Sequence, residues 1–409
     1  MSKNIIFITS FFPFGSREVW LKYELECLVE GSYNPIVVPR MYEGNVEKVK
    51  AINPDINVIN EAMISLRLLG FTLFNFLKIF SIKNLKLITA QSQDGFDWLK
   101  RLSVLPKTYV VLDRLRVLEV SHVHSYSTTT VATIGTILSR ELDVPFSFTL
   151  HTSAQLTEKC RTSYKSIIQK SSLVRTISEK TKRDLQLFFG DILPPVHCVH
   201  LGVNCNSVSV QEALVEAKNP DVRIVIACVL EPYKGVHYAI DAIELMVEKF
   251  KNFKVDIYGD GSCSETLKSL VVDKNLTQHI SFKGYVPHAV FMETMQNMVG
   301  DILLLTSDSS QGQQEEGIPV IVMEAMNAGM ITIATKNGGI SEIIDDKQNG
   351  FLVAQRDIGA MVAAMAEVCN MNMLDKAKLI SRAKTTVNER FNSNKNAATL
   401  AGLMTDVTL

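Results

Sequence analysis

Short apolar runs alternate with amphipathic runs along most of this chain. Runs rich in Val, Ile, Leu and Phe are typical of buried strands, and apolar positions three and four residues apart are typical of helices. Strands are predicted at residues 5–9, 35–38, 120–125, 146–150, 173–177, 197–200, 224–229, 254–258, 280–284, 302–306, 332–334 and 351–353. Helices are predicted between them at residues 18–29, 128–140, 163–170, 179–189, 236–249, 264–273, 288–298, 319–328 and 358–368.

This alternation predicts an α/β fold with two parallel sheets, each covered by helices. A length of 409 residues exceeds what one hydrophobic core usually serves, which favours two domains. We expect Rossmann-like, doubly wound domains at residues 1–205 and 206–390, with a C-terminal helix at about 391–409 that packs back onto the first. Such domains place ligands at the carboxyl ends of their strands, so a cleft between them is the expected site.

The composition indicates which classes of partner to expect and in which compartment the protein works. Lys and Arg number 42 and Asp and Glu 43, so the net charge of −1 gives no electrostatic basis for nucleic acid as the main partner. The seven cysteines form no CxxC pair and no metal-like spacing, which is typical of a reducing cytoplasm. The first apolar run lacks a small-residue cleavage site, so we expect a buried strand there and not a signal peptide.

One segment departs from the balanced charge. Residues 62–116 hold nine Lys or Arg against three acids, a net charge of +6. Its apolar stretch at 68–77, between Arg67 and Lys78, is too short to span a bilayer. Apolar side chains flanked by cations are typical of a peripheral contact, here with the inner face of the cytoplasmic membrane. The alternative is an internal helix packed between two others.

Two glutamates, Glu316 and Glu324, are the strongest candidates for chemistry. Pro319 suits the first turn of a helix, and the apolar run after it predicts a buried helix. Glu316 would precede this helix and Glu324 would lie inside it, roughly 12 Å away at helical rise. That is about the separation of the ribose and the sugar ring in a nucleotide sugar, and a helix N-terminus between them favours a diphosphate. A surface acid and a paired core acid would give the same spacing.

Other candidates follow strand ends. Gly15 lies in the loop after the first strand, which lacks the GxGxxG dinucleotide motif. Lys234 precedes a helix and could reach a diphosphate, and the pair 338–339 offers glycine backbone near a ligand. An ordinary loop, a solvated lysine and a plain turn are the structural alternatives.

Histidines mark two further strands. His122 and His124 alternate on one strand and therefore point to the same side. His151 ends the strand at 146–150, where such folds place functional groups, although a lone histidine is also common in cores. No acid or histidine is spaced near His151 to complete a ligand set, so no metal is predicted.

Together these elements resemble the GT4 family of retaining glycosyltransferases, whose GT-B fold consists of two Rossmann-like domains facing across a cleft. The resemblance covers nearly the whole chain and is strongest over residues 223–353. Its sixth motif has the E-G-I-P-V-x-x-M-E form common in exopolysaccharide enzymes. Seven motifs carry the resemblance in order, at residues 12–18, 145–151, 176–179, 200–204, 258–261, 316–324 and 338–342.

The resemblance implies a metal-independent hexosyltransferase that retains the anomeric configuration. Its substrate would be a UDP- or GDP-linked sugar, from which it would move a hexose to a hydroxyl of a glycan. That glycan would be lipid-linked, as in surface polysaccharide synthesis. No cofactor is expected. Glu316 and His151 would touch the transferred sugar as catalytic residues. The donor-binding residues would be Glu324 at the ribose, Lys234 and Gly15 at the phosphates, Gly317 and Ile318 beside the diphosphate, and Tyr285 and Val286 at the base.

One position departs from the family pattern. Members carry an Arg five residues before the lysine, where this chain has Val229. One positive charge on the leaving group is therefore lost, and we expect Arg17 in the first loop to replace it. Two alternatives to an active transferase stay open: a non-catalytic GT-B subunit that scaffolds a partner transferase, and a sugar-nucleotide epimerase.

Overall fold

The predicted apolar runs form two parallel β-sheets. The computed structural model describes residues 3–12, 18, 21–31, 33–41, 54–205, 222–250, 253–309 and 315–406. The chain divides into two units, Met1–Leu201 with Ser393–Leu409, and Gly202–Asn392. Each unit has its own sheet and its own hydrophobic core, in which apolar residues of the strands pack against the apolar faces of the helices.

The first unit has a sheet of seven described strands in the order β3-β2-β1-β4-β5-β6-β7, and every described pairing is parallel. The strands are β1 Asn4–Thr9, β2 Asn34–Pro39, β3 Asn57–Val58, β4 Val120–Ser125, β5 Phe146–Leu150, β6 Leu173–Thr176 and β7 Val196–Cys198. The helices of this unit that precede the second unit along the chain are α1 Leu21–Glu30, α2 Leu66–Phe74, α3 Phe76–Ile79, α4 Ile82–Gln91, α5 Gly95–Ser103, α6 Leu105–Leu115, α7 Thr130–Leu142, α8 Glu158–Ile168 and α9 Glu179–Phe189.

The second unit has a sheet of six described strands in the order β10-β9-β8-β11-β12-β13, again with every described pairing parallel. The strands are β8 Val222–Ala227, β9 Phe253–Tyr258, β10 Ile280–Gly284, β11 Ile302–Leu305, β12 Ile331–Thr335 and β13 Phe351–Val353. The helices are α10 Val236–Lys249, α11 Ser264–Asp273, α12 His288–Met295, α13 Val320–Ala328, α14 Ile358–Asn370 and α15 Met373–Arg390.

The last helix, α16 at Ser393–Asp406, packs in the first unit. Its buried side chains, Leu400 and Met404 among them, join a cluster with the apolar residues of α1 and β1. Every predicted strand is present, with ends shifted by no more than two residues. The short strand β3 and the helix α15 were not predicted.

The segment at 62–116 differs most from expectation, because it forms five short helices. Ser65 and Asp94 accept backbone N–H groups at the starts of α2 and α5, and Asn75 separates α2 from α3. Four of the five helices are shorter than the roughly 11–18 residues over which a helical period is recognised in a sequence. The internal-helix interpretation of 68–77 is wrong, because Phe74 is 93% and Leu77 86% exposed.

The same segment contains the helices whose length and apolar character come nearest to those of a membrane span. Over the described residues, no helix alone has the length and apolar character needed to span a membrane. The pair Leu66–Phe74 and Phe76–Gln91 meets that test only when taken together, and it is bent by 83°.

A buried ion pair fixes α1 to the sheet of the first unit. The Arg175 guanidinium of β6 donates to both carboxylate oxygens of Glu24 on α1, at 2.9 and 2.7 Å, and to the Val199 carbonyl at 2.9 Å. The Tyr126 hydroxyl also donates to Glu24. Glu24 and Arg175 are both buried, so each charge depends on the other for its stabilisation.

We predict that Glu24→Gln lowers the free energy of unfolding by about 3–5 kcal/mol, because it leaves the buried guanidinium without a countercharge. Glu26→Gln, two residues along α1, removes a partly exposed partner of Lys22 and should cost at most about 0.5 kcal/mol. Urea unfolding of both variants measures the difference. Equal costs would contradict the structural role of the Glu24–Arg175 pair.

Candidate functional site

The predicted donor residues of the second unit lie in loops at the carboxyl edge of its sheet. Strands β8 and β11 are neighbours in that sheet, and the chain order reverses between them. This is the topological switch point at which doubly wound sheets bind ligands. The loops after β8, β11 and β12 and the segment before α13 therefore lie together.

Lys234 is positioned by a tight turn after β8. Pro232–Lys234 form a 3-10 turn, and Gly235 follows with φ of +61° at the start of α10. The Thr306 hydroxyl, after β11, donates to the Gly235 carbonyl at 3.0 Å. A Cβ at residue 235 would overlap the Thr306 carbonyl, so only glycine permits this approach of the two loops.

Lys234 and Glu316 form an ion pair at this edge. The Ser307 hydroxyl donates to the same Glu316 oxygen, Oε1, at 2.7 Å. Both charged side chains are largely buried. Burial lowers the pKa of Lys234, but the charge of Glu316 and its hydrogen bond outweigh burial, and the pKa is raised overall. The ammonium group therefore stays charged, held against a carboxylate.

The backbone of Glu316 is held by the loop after β12. Its N–H donates to Asn337 Oδ1 at 3.0 Å, and Gly339 N–H donates to the Gly317 carbonyl at 2.9 Å. Gly338 has φ of +55°, and a Cβ there would overlap the Glu316 carbonyl. The predicted glycine pair thus contacts the backbone of the Glu316 loop directly.

Glu324 lies inside α13, on a buried position. His288 Nε2, at the start of α12, donates to Glu324 Oε1 at 2.6 Å. Pro319 caps α13, which begins at Val320, so the chain from residue 316 to 319 is not helical. The sequence-based separation of 12 Å therefore needs correction: helical rise applies only from Val320 to Glu324, about 6 Å.

The remaining donor residues have different environments. Tyr285 is exposed and Val286 is partly buried, in the loop that joins β10 to His288 at the start of α12. Ile318 is buried and Gly317 is partly buried. Val229, which replaces the family Arg, is 44% exposed in the loop after β8.

In the first unit, His151 follows β5 and is partly buried. Its Nε2 lies 2.8 Å from the Tyr126 carbonyl, which can only accept, so Nε2–H donates. Burial lowers the pKa of His151 to about 4, so at neutral pH the ring is uncharged and Nδ1 carries a lone pair. Gly15 and Arg17 lie outside the described residues.

His122 and His124 have a structural role. Both are fully buried and both contact the Ser147 hydroxyl of β5, at 2.6 and 2.7 Å. His124 Nε2 also lies 2.8 Å from the Thr149 hydroxyl. Burial lowers the pKa of His122 to about 4 and that of His124 well below its ordinary value, so both rings are neutral links between β4 and β5.

Sequence reasoning missed four polar residues in these loops. Ser307, Asn337 and His288 hold the two predicted glutamates, and each follows a strand end, a position that could have singled them out. The fourth is Glu18, whose carboxylate accepts backbone N–H groups of residues 10–12 after β1, at 2.6–3.2 Å. An acid nine residues beyond a strand gives no such signal.

Comparison with known proteins relates the second unit to a family of glycosyl transferases. A family model described as "Glycosyl transferases group 1" matches residues 211–386. The matched part of the second unit is therefore similar to the group 1 glycosyl transferases. The resemblance to GT4 glycosyltransferases that the motifs predicted is thereby confirmed.

Two curated relatives named as glycosyltransferases are also similar to part of this chain. The putative colanic acid biosynthesis glycosyltransferase WcaL of Escherichia coli (strain K12) is 28% identical over 190 residues, 46% of this chain and 46% of the relative. The amylovoran biosynthesis glycosyltransferase AmsK of Erwinia amylovora is 24% identical over 237 residues, 58% of this chain and 57% of the relative. The chain thus spans about half the length of the curated relatives it matches.

Solved structures identify the fold. The crystal structure of Anabaena Alr3699/HepE in complex with UDP matches with a TM-score of 0.72 and 17% identity, over 99% of this chain and 100% of that chain. The same protein in complex with UDP-glucose matches with a TM-score of 0.71 and 16% identity, over 99% and 100%. The predicted α/β class, the GT-B fold of two Rossmann-like domains, is confirmed.

The contact between Gly338 and Glu316 in the second unit is testable. We predict that Gly338→Ala lowers the free energy of unfolding by about 3 kcal/mol, since the added Cβ displaces the Glu316 carbonyl. Gly284→Ala is the matched control: its φ is +69°, but a Cβ there meets nothing within 4 Å, so only the backbone cost of about 1 kcal/mol applies. Urea unfolding compares the two, and equal costs would refute the close approach.

Proposed function

We propose that this protein is a retaining, metal-independent hexosyltransferase of surface polysaccharide synthesis. It would transfer a hexose from a UDP- or GDP-linked sugar to a hydroxyl of a lipid-linked glycan, on the cytoplasmic side of the membrane. The group 1 match and the relatives named for colanic acid and amylovoran biosynthesis support the class and the setting. The HepE complexes with UDP and UDP-glucose support a nucleotide sugar as donor.

The ion pair of Lys234 and Glu316 carries this proposal. The two side chains touch, so they would contact neighbouring groups of a bound donor. In a nucleotide sugar, the bond between the anomeric carbon and the β-phosphate joins such neighbours. Lys234 as the partner of the phosphate and Glu316 as the partner of the sugar would therefore flank the bond that breaks.

Charge development explains why these residue types suit the reaction. As the bond between the anomeric carbon and the phosphate oxygen breaks, positive charge grows on the sugar ring and negative charge on the departing diphosphate. Lys234 stabilises the negative charge, together with the N-terminus of α13, and the Glu316 carboxylate faces the positive ring. The acceptor oxygen then bonds to the anomeric carbon on the face that the diphosphate leaves, and its proton moves to the departing phosphate oxygen.

Glu324 would hold the other end of the donor. A buried carboxylate accepts hydrogen bonds from the two ribose hydroxyls, and His288 fixes the orientation of that carboxylate. The ribose contact is made in ground state and transition state alike, so it contributes to binding and not to the chemical step. The roles of the other predicted residues stay predictions: His151 at the sugar, Gly15, Arg17, Gly317 and Ile318 at the phosphates, and Tyr285 and Val286 at the base.

We predict that the two glutamates separate chemistry from binding. Glu316→Gln keeps the side-chain size and should lower kcat by about 100-fold or more, with the Kd of UDP or GDP changed by less than about threefold. Glu324→Gln should raise the Kd of the nucleotide by about 10-fold. Transfer assays and nucleotide titration measure both effects.

Glu293→Gln, on the exposed face of α12, is the control and should change neither quantity. Equal and mild effects of Glu316→Gln and Glu324→Gln would refute the assignment. Nucleotide binding without any transfer by the unaltered protein would favour the non-catalytic subunit instead.

We also propose that α2 and α3 contact the membrane that holds the acceptor. Leu66, Phe74 and Leu77 are at least 86% exposed, although they are large and apolar. Contiguous exposed apolar side chains mark an interaction surface, and the basic side chains of the same segment favour an anionic one. A bilayer with anionic lipids satisfies both properties.

We predict that Leu77→Ser weakens binding to vesicles of phosphatidylcholine and phosphatidylglycerol by about 10-fold, because it removes an inserted apolar side chain. Leu187→Ser on α9 is the matched control, since Leu187 is 85% exposed outside this segment and should not affect binding. Vesicle co-sedimentation gives both values. No difference between the two variants would rule out contact through α3.

A further inference from the structure

The first unit contains a pocket that the proposed donor chemistry does not use. It lies between α4, α7 and α8 and has a volume of about 530 Å³. Its lining residues are Lys83, Lys86, Leu87, Ala90, Thr136, Ser139, Arg140, Ser166, Gln169 and Lys170. Helix α7 starts after the carboxyl end of β4 and ends before β5, so its last turn, with Ser139 and Arg140, lies at the amino edge of the sheet. The pocket is thus at the edge opposite His151.

The described lining of the pocket is cationic and includes no acid. Lys83, Lys86, Arg140 and Lys170 contribute four positive charges. Within the described part of the chain, Lys83, Lys86 and Lys170 form no ion pair, while Arg140 donates to the neighbouring Glu141 at 2.7 Å. The positive charge of the pocket is therefore mostly uncompensated.

Helix termini account for only half of this charge. Arg140 and Lys170 lie at the C-terminal ends of α7 and α8, where a cation interacts favourably with the helix dipole. Lys83 is the second and Lys86 the fifth residue of α4, where the helix dipole does not stabilise a cation and no acid occupies the first turn. Lys83, Lys86 and Lys170 are exposed to solvent, and with Arg140 they line one pocket that an anion could enter.

The neighbourhood of the pocket identifies the kind of anion. Ile82, which precedes Lys83, is 73% exposed, and Leu77 lies six residues before Lys83, at most about 22 Å along the chain. An exposed apolar side chain, Ile82, therefore lies next in sequence to a residue of this cationic pocket, which also offers the Ser166 hydroxyl. A phosphate attached to hydrocarbon chains matches this combination, because the phosphate needs cations and the chains need apolar contacts.

We propose that this pocket binds the phosphate headgroup of an anionic phospholipid while α2 and α3 contact the acyl region. The proposal rests on the membrane contact proposed above and adds a specific headgroup site to it. Binding a headgroup at the amino edge of the sheet would fix the first unit at the bilayer through two kinds of contact, one apolar and one ionic. Vesicle attraction by surface charge alone would not need a pocket.

The test compares two pairs of lysines that carry the same charge. Lys86→Gln with Lys170→Gln removes two cations from the pocket, and Lys78→Gln with Lys165→Gln removes two exposed cations of α3 and α8 that do not line it. Each lysine near an anionic membrane contributes about fivefold to binding. We expect the pocket pair to weaken binding to phosphatidylglycerol vesicles by about 25-fold and the control pair by no more than about fivefold. Equal losses would indicate diffuse attraction and overturn the proposal.

A second measurement uses the full chain and monomeric short-chain phosphatidylglycerol, which forms no bilayer. The pocket pair should lose at least about 10-fold in affinity for this lipid relative to the unaltered protein. Inorganic phosphate binding as tightly as the lipid would overturn the choice of a lipid. Failure of this pocket leaves the Leu77→Ser comparison and the glutamate variants unaffected, so the separate proposals fail separately.

Discussion

The parallel direction of the strands is the constraint on which the candidate site depends. In the second unit, Lys234, Ser307 and Asn337 are far apart in sequence, yet each follows a strand whose carboxyl end lies at one edge of the sheet. Parallel pairing brings these loops together, and the neighbouring positions of β8 and β11 leave room between them. Glycine at 235 and 338 then lets the backbones approach more closely than any side chain would allow.

The ion pair at this edge places a lysine and a carboxylate in a largely buried setting before any ligand arrives. Glu316 offsets the cost of desolvating the ammonium group, so in the proposed donor site a diphosphate would meet a lysine that is already charged and oriented. Because Val229 supplies no second cation in this loop, phosphate binding in the proposed site would depend more heavily on Lys234 and on the N-terminus of α13.

The first unit has different chemistry at its two edges. At the carboxyl edge, burial keeps His151 neutral, with Nε2–H committed to a backbone carbonyl. At the amino edge, cations gather beside exposed apolar helices. A unit that handles a lipid-linked acceptor would need both features, a neutral polar surface for a sugar and an amphipathic surface for a bilayer, and separate edges of one sheet provide them without conflict.

The sequence by itself determined the positions of the strands, the two-sheet architecture, and the place of Glu316 before a buried helix that contains Glu324. Strands buried on both faces are apolar along their whole length, so the local sequence is enough to predict where they lie. The helix between Pro319 and Gly329 is bounded by the conformational preferences of those two residues. Only the tertiary structure decided that Glu316 pairs with Lys234, that Glu324 pairs with His288 and that Phe74 and Leu77 face outward. Those facts depend on strand order and helix packing, which bring together residues whose separation along the chain carries no information about their distance in space.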